Sequence, residues 1–577
     1  MSRRRYTSKQ AVDLLFSLPT DDDDSDTDAD EGSKEELDRL CADKSSSSNN
    51  DVPVDVNADV DVSASSDESD TNTDGDDEAD DWGDSIRRFE KLKPLCTSSS
   101  EILASLNSSD KVVKYFDTFF TDELYELIVQ ESNKYNRQKQ LAKGKTVGEE
   151  VLTNEDLRAW IGLLILMGIH KLPELQNYWS TDPLLGVPAV NSVMTSKKFK
   201  KIVEIIHCND NTSNPPRGQQ GHDKLHKLRP VINKINTNLS HAYKPSGTVS
   251  VDESMIAFKG RSSMKQYMPM KPVKRGYKVW CLADSATGFV YKFQIYTGRE
   301  SESDGHTLGE KVVLGLCESG LDSWTVVAFD NFFTIMNDLY SKELYAVGTV
   351  RAHRKGLPDM MKKKDKLKRG EHKFQTKGNV AAIKWMDNKE VNMLTNCYNP
   401  KNVCLVKRKA KDGSTDMVDC PEAVAQYNRI MGGVDHFDQL RERYAVGRRS
   451  IKWWHRILYW LIDVCIVNAY VMYRMNHRHQ QDIDQLSFRL LLARQLTSAF
   501  SGKRKKGRPV SFLARKKKVP DDVRLQMVGN HLPQQNKNFR RCRMCSTGKS
   551  EKRTRYTCTA CDVPLCIKDC FQKFHGK

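Results

Sequence analysis

Met431-Gly432-Gly433-Val434-Asp435-His436-Phe437-Asp438-Gln439-Leu440 sets two acids three residues apart, directly after a glycine pair. Residues three apart share one face of a helix. If a helix begins near Val434, Asp435 and Asp438 point into one small volume. Two carboxylates on one face repel, and a divalent cation between them relieves the repulsion. The same pair also fits a solvated helix start, with acids at the positive end of the helix dipole. What decides between the two is the apolar context and the acids far upstream.

Upstream the hydrophobic period is that of strands. Thr248-Val249-Ser250-Val251-Asp252 alternates after Gly247. Residues 277–283 and 289–296 read as two more strands, joined by the hairpin Asp284-Ser285-Ala286-Thr287-Gly288. Residues 324–329 are a fourth strand ending at Asp330; a short helix (333–342) and a fifth strand (345–350) follow. Three strands, then helix and strand, predict an α/β fold with one mixed sheet. Residues 381–386 and 391–395 read as a small β insertion, and helical character runs from Val424 to Met475.

In a mixed sheet the first and fourth strands can lie side by side, which brings Asp252 and Asp330 together at their ends. A helix across that edge supplies Asp435. Three carboxylates arranged so hold two divalent ions, one beside the attacking and one beside the leaving oxygen of a phosphodiester. Aspartate suits Mg²⁺ or Mn²⁺, which take hard oxygen ligands. Taken singly, Asp252 beside Glu253 also reads as a strand end facing water, and Asp330-Asn331 as a turn. Asp330, however, lies between Val326-Val327-Ala328-Phe329 and Asn331-Phe332-Phe333. An acid in such surroundings is expected to be paired or metal-bound.

The 577 residues predict two to four units. The net charge of +15 hides a split: residues 21–84 carry 26 acids and 3 basic residues, which leaves +38 on the remainder. So large an excess points to a polyanionic partner, nucleic acid first; the bland alternative is a basic protein kept soluble by its charge. Residues 1–105 are rich in Asp, Ser and Thr and are predicted disordered. Thr121-Asp122-Glu123-Leu124 opens a capped helix, and Thr153-Asn154-Glu155-Asp156 is a capping box before a buried one. Residues 196–243 look helical and lysine-rich, either a DNA-facing surface or a solvated helix face. No secretory signal is visible, and the apolar run 457–473 is broken by Asp463 and Asn468, so it reads as a core helix and no membrane partner is expected. The fifteen cysteines should then be reduced, and clustered ones are metal ligands before they are disulfides.

Such a cluster closes the chain. Cys542-Arg543-Met544-Cys545 and Cys558-Thr559-Ala560-Cys561 are two CxxC turns, followed by Cys566, Cys570 and His575. Each turn presents two sulfurs at the spacing tetrahedral Zn²⁺ needs. Seven ligands leave one short of two sites, and His531 is the nearest candidate for the eighth. Arg540, Arg541, Arg543, Lys549, Lys552, Arg553 and Arg555 tilt the module toward DNA, whereas an apolar groove would favour a peptide. Lys503-Arg504-Lys505-Lys506-Gly507-Arg508-Pro509 reads as a nuclear localisation signal, and Arg508 also as a minor-groove hook.

The order Val251-Asp252-Glu253, Phe329-Asp330-Asn331-Phe332-Phe333 and Gly432-Gly433-Val434-Asp435-His436-Phe437-Asp438 resembles the piggyBac transposases. Phe258-Lys259-Gly260-Arg261, Gly348-Thr349-Val350-Arg351 and Arg448-Arg449-Ser450-Ile451-Lys452-Trp453-Trp454 add to it. From about Tyr115 onward the resemblance implies an RNase H-like catalytic core using Asp252, Asp330 and Asp435, with Asp438 as an additional acid. The disordered acidic tail (1–105) and the linkers match no motif of that family; the resemblance implies a helical dimerisation and DNA-binding domain (106–247 and 451–500) and a core (248–353 and 421–450). An insertion (354–420), a basic linker (501–537) and a cross-brace zinc domain (538–577) complete the chain. Two Mg²⁺ (or Mn²⁺) and two Zn²⁺ are the implied cofactors. Cys542 and Cys545 would share one zinc with Cys566 and Cys570; Cys558 and Cys561 would pair with His575, with His531 the candidate fourth ligand. Lys259, Arg261, Arg351, Arg448, Arg449, Lys452, Arg508, Arg541 and Arg543 are the expected DNA contacts. The expected partners are double-stranded DNA (terminal repeats and a TTAA target) and a second copy of the chain, in the nucleus, with no small-molecule substrate. The rival is a domesticated DNA-binding protein without catalysis, against which all four acids are present.

Overall fold

The computed structural model describes residues 81–576, apart from 145–150, 270, 299–307, 319, 331–334, 364–365, 410–413, 478–482, 502–518, 520, 526–527 and 547–549. The chain divides into two compact units, Met1–Gly502 and Lys503–Lys577. The first opens with β1 (Glu101–Ile102) and the helices α1 (Val112–Asp117), α2 (Asp122–Ala142), α3 (Asn154–Ile169), α4 (Pro188–Val193), α5 (Ser196–Ile205) and α6 (Arg229–Ala242). There follow β2 (Tyr243–Lys244), β3 (Thr248–Ala257), β4 (Gln266–Tyr267), β5 (Arg275–Asp284), β6 (Val290–Ile295), α7 (Leu308–Leu316), β7 (Val326–Asp330), α8 (Met336–Ser341) and β8 (Tyr345–Thr349). Next come α9 (Asp359–Lys362), β9 (His372–Lys377), β10 (Val380–Met386), β11 (Glu390–Thr395), β12 (Val403–Lys409) and β13 (Thr415–Pro421). The unit closes with α10 (Glu422–Ile430), α11 (Gly433–Arg443), α12 (Trp453–Asn476) and α13 (Gln485–Ser501).

One mixed sheet organises the unit, in the order β4-β5-β3-β7-β8-β11-β10-β9, with β6 also beside β5. β3, β7 and β8 are parallel, while β5 runs antiparallel to both β3 and β6. Alternation along the strands splits the core in two. Val327 and Phe329 join the larger cluster with the helices, while Val326 and Ala328 join a smaller one with Ala423, Val424 and Ile430 of α10. Both sheet faces are therefore covered, as parallel strands require.

Several expectations need correction. Residues 381–386 and 391–395 do not form a sheet of their own. β11 pairs with β8 (Thr395 opposite Val347), and Ile383, Trp385 and Met393 line the same cluster as β7 and β8, so these strands extend the central sheet. Residues 81–105 are not disordered. Phe89 is buried, Gly83 pairs with Thr376, Trp82 Nε1 donates to the Gly356 carbonyl, and β1 pairs with β2. The acid-rich average over 105 residues concealed Trp82, Phe89 and Ile102; residues 1–80 lie outside the described residues. Asp252 does not end its strand, because the long antiparallel partner β5 carries β3 on to Ala257. The Thr153 capping box forms, with Thr153 and Asp156 exchanging bonds, but Thr121 makes no side-chain cap and its hydroxyl is buried without a partner. Residues 196–243 hold two α-helices separated by a long connection with two short 3-10 turns, and the helical stretch after Val424 is three helices.

The core helix expected from the broken apolar run is α12. By length and composition it is apolar enough to cross a membrane, yet 94% of its most apolar stretch is buried inside the fold. The two polar residues that break the run are its ties. Asn468 accepts from the Val290 N–H and donates to the Val290 carbonyl at 3.0 and 2.8 Å, matching the hydrogen bonds of a neighbouring strand. Asp463 accepts from the Val446 N–H at 3.2 Å and faces the buried Arg489 guanidinium at 3.6 Å. Where α3 crosses α13, a Cβ on Gly162 would lie 2.8 Å from Thr497 Cγ2, so the crossing is too close for a side chain.

His207, buried beneath α12, stacks on Tyr135 at 3.6 Å, and burial lowers its pKa to about 3. In the unfolded chain it titrates near 6.5. Below that pH the unfolded chain takes up a proton that the folded chain refuses until about pH 3, so stability falls as pH drops through this window. Urea midpoints at pH 7.5 and pH 5 should therefore differ less in His207→Phe than in the wild type.

Candidate metal-dependent site and zinc module

The site forms where β3 loses one neighbour. The parallel register pairs Val251 with Phe329, and Asp252 and Asp330 are the next residue on each strand. They stand at one level of the sheet and on one face, an interstrand spacing of about 4.8 Å apart along the backbone. α11 brings the third acid over this point. A Cβ on Gly433 would lie 2.6 Å from Ser250 Oγ and 3.0 Å from the Asp284 carbonyl, so only glycine lets the helix rest on β3 and β5. Asp435, two residues on, is near enough for its charge to help raise the Asp252 pKa.

Asp438 does not share that volume. It accepts from Ser254 Oγ at 2.8 Å and pairs with Arg441 Nε at 3.1 Å. Ser254 lies two residues beyond Asp252 on the same face of β3. Helix and strand run along one another, and three residues of helix advance about 4.5 Å. Asp435 therefore meets the Asp252 level and Asp438 the next. Asp438 anchors the helix that carries Asp435.

Asp330 is exposed although its strand neighbours are buried, because β7 ends there. It accepts from the hydroxyl of Thr349, its partner across β8. Thr349 also bonds Tyr427, a half-buried residue of α10 whose pKa is pushed up by burial and by Asp330. The expected pairing of Asp330 is thus supplied by a hydroxyl chain. Asp252 is half-buried, and burial raises its pKa against the opposing charge of Lys271. Lys271 Nζ lies 3.5 and 3.4 Å from its two oxygens. Burial disfavours the Lys271 charge, but Asp252 and Glu253 outweigh it and raise its pKa. Neither Lys271 nor Tyr427 carried any sequence signal: one sits in an irregular loop, the other in an ordinary amphipathic helix.

Among the described residues, sets of ligand atoms within 4.8 Å of one another occur in the second unit; the three aspartates share one edge without being that close. Oxygen donors at one edge, with an ammonium already drawn to them, fit a hard divalent ion.

The expected DNA contacts divide. Lys259, Arg261, Arg351 and Arg449 are exposed. Arg261 lines a 540 Å³ cleft with Arg217, His222, Lys227 and Trp453, a basic concavity not foreseen from the lysine-rich helices. Lys452 is half-buried and donates to the Glu204 carbonyl at 3.1 Å, while Arg448 donates to Tyr178 Oη at 3.0 Å. Both hold the fold together. Arg508 and the whole run 503–509 lie outside the described residues.

The second unit holds α14 (Asp521–Leu525), an antiparallel pair β14 (Pro533–Arg541) and β15 (Arg553–Cys558), and α15 (Cys570–His575). Two tetrads converge in it, Cys542, Cys545, Cys566 and Cys570, and His531, Cys558, Cys561 and His575. His531 is thus the eighth member. Cys545 Sγ and Cys566 Sγ are 3.7 Å apart, Cys561 Sγ is 3.2 Å from His531 Nδ1, and Cys561 Sγ is 3.5 Å from His575 Nε2. A tetrahedral ion with Zn–S bonds of ~2.3 Å needs edges of this size. His575 Nδ1 donates to the Phe571 carbonyl at 2.9 Å, which fixes the ring with Nε2 toward the tetrad. Burial opposes ionisation of Cys542, but N–H groups of Cys545, Cys566 and Met544 outweigh it and bring the thiol down to about 6. Arg541 is exposed and donates to Ser546 Oγ at 2.7 Å; Arg543 is half-buried.

Residues 112–470 match the family model described as Transposase IS4, and residues 527–576 match a DDE_Tnp_1-like zinc finger. The human PiggyBac transposable element-derived protein 3 is 28% identical over 472 residues, covering 80% of this chain and 75% of that protein. The human PiggyBac transposable element-derived protein 2 is 28% identical over 464 residues, covering 78% and 75%. The fold is similar to that of a piggyBac transposase solved as a synaptic complex with hairpin DNA. That match has a TM-score of 0.62 and 22% identity, covering 79% of this chain and 95% of that one.

Gly433→Ala should lower stability by about 1–3 kcal/mol, the usual cost of overpacking, read as a lower urea midpoint. Metal analysis of the full chain should find two zinc ions in the wild type and one in Cys558→Ser, with the melting of the first unit unchanged. A chain without bound zinc would refute the tetrad assignment.

Proposed function

This chain belongs to the piggyBac-type transposase family, and from that premise we propose that it is a cut-and-paste DNA transposase that nicks transposon ends and inserts them at TTAA sites. The order β6-β5-β3-β7-β8, antiparallel only at β5, supports reading the core as RNase H-like. The single observation that carries the catalytic reading is the register that sets Asp252 and Asp330 side by side beneath Asp435. These three would hold two Mg²⁺ or Mn²⁺, which supply activation of the attacking oxygen and charge relief at the leaving one. The protein's own contribution is placement. Thr349 and Tyr427 orient Asp330, while Ser254 and Arg441 fix Asp438 and thereby α11.

DNA lies against the basic surfaces, with phosphate contacts from Lys259, Arg261, Arg351 and the cleft that Arg261 lines. The zinc module, loaded with two ions, reads the terminal repeats through its basic residues. The basic run 503–509 supports a nuclear location, and joining two transposon ends calls for two copies of the chain. The relatives are named as transposable element-derived proteins, which favours one second reading, a DNA-binding protein that no longer cleaves.

Asp330→Asn separates the two. Cleavage of a DNA carrying terminal repeats, with Mg²⁺, should occur in the wild type and fall at least a hundredfold in the variant, because a metal-binding charge is lost. DNA affinity should stay within about threefold, since little surface changes. No cleavage by the wild type, with end binding intact, would establish the second reading.

A further inference from the structure

Lys271 has no part in the reading above, yet it holds the most telling position in the site. Its ammonium lies 3.4 Å from Asp252 Oδ2, 3.5 Å from Oδ1 and 3.4 Å from the Glu253 carbonyl oxygen, with a Glu253 carboxylate oxygen at 3.9 Å. These are long for charge-assisted bonds, which close to about 2.7–2.9 Å when one donor commits to one acceptor. The ammonium is shared among the oxygens as a small cation would be. We propose that Lys271 is a displaceable counter-cation. It neutralises the carboxylate edge while no divalent ion is bound, and it vacates that position when the ion enters. This inference rests on the two-metal reading of the site.

Three features of the chain support displacement over permanent pairing. Lys271 sits in the irregular segment between β4 and β5, flanked by Pro269 and Pro272, so its side chain can swing without breaking a strand. Its exposure of 28% leaves a way out to solvent. Glu253 keeps a second cation when Lys271 departs, because Lys278 pairs with it at 2.6 Å and is itself held over Trp280 at 3.6 Å. Lys278 is the fixed lysine and Lys271 the movable one. A divalent ion held by Asp252 would compete with the ammonium, a like charge, for the same carboxylate oxygens.

The test uses the zinc-loaded full chain without DNA and Mn²⁺ as the probe, read by calorimetry and by the spectrum of bound Mn²⁺. Lys271→Met keeps the length of the stem and removes the competing charge. It should bind Mn²⁺ on the order of tenfold more tightly than the wild type, the effect expected of one charge at this distance. Lys271→Arg should stay within about threefold. Without Mn²⁺, Lys271→Met should melt below the wild type, and Mn²⁺ should raise its melting point by more. A merely structural lysine would give weaker Mn²⁺ binding in Lys271→Met. Equal or weaker binding in Lys271→Met overturns the proposal, provided that Asp252→Asn abolishes binding and so upholds the metal site. If the wild type binds no Mn²⁺, or Asp252→Asn binds it equally, the two-metal reading fails and the proposal with it.

Discussion

α11 rests directly on β3 because residue 433 has no side chain, and the rest of the site depends on that contact. With Ser250 Oγ 2.6 Å from where a Cβ would be, even alanine must lift the helix. Lifting it moves Asp435 away from Asp252 and strains the bonds of Asp438 to Ser254 and Arg441. The close approach has an electrostatic cost, since it adds a third carboxylate to an edge that already holds two. The structure answers that cost with Lys271 on Asp252 and the Thr349 hydroxyl on Asp330, while Arg441 pairs with Asp438 one level away. Asp435 remains exposed to water.

The helical part is bound to the sheet by polar residues in an apolar helix. Asn468 satisfies both backbone groups of Val290, and Asp463 holds the turn before α12 by its bond to the Val446 N–H. A buried polar group without a partner costs more than a good one gains. These bonds therefore fix the helix in one register along β6, where apolar packing alone would tolerate sliding. The second unit follows a different rule. Its buried apolar residues are few, Val563 and Leu565 among them, and two tetrads of ligands stand where a larger core would otherwise be needed.

Much of this was legible in the chain. Alternation located β3, β5, β6, β7 and β8, the CxxC spacing marked the zinc module, and the Thr153 box marked the start of α3. Composition misled at residues 81–105, where three large apolar side chains outweigh the surrounding acids, and at β10 and β11, whose alternation said strand but not which sheet. Pairing partners are set by surfaces far apart in sequence, and neither propensity nor period encodes them.

The sequence by itself determined which residues could do chemistry: two aspartates on predicted strands and two at a helix start, and the cysteines and histidines at ligand spacing. Only the tertiary structure decided their roles. It set Asp435 against Asp252 and gave Asp438 to Ser254, because a helix and a strand lying side by side advance at different rates per residue. It joined His531 to a tetrad completed 44 residues later by His575. It placed Lys271 on Asp252 through a loop with no regular period. Local pattern fixes the direction of a side chain within its own element, whereas the charge or hydroxyl it meets is chosen by how the elements pack.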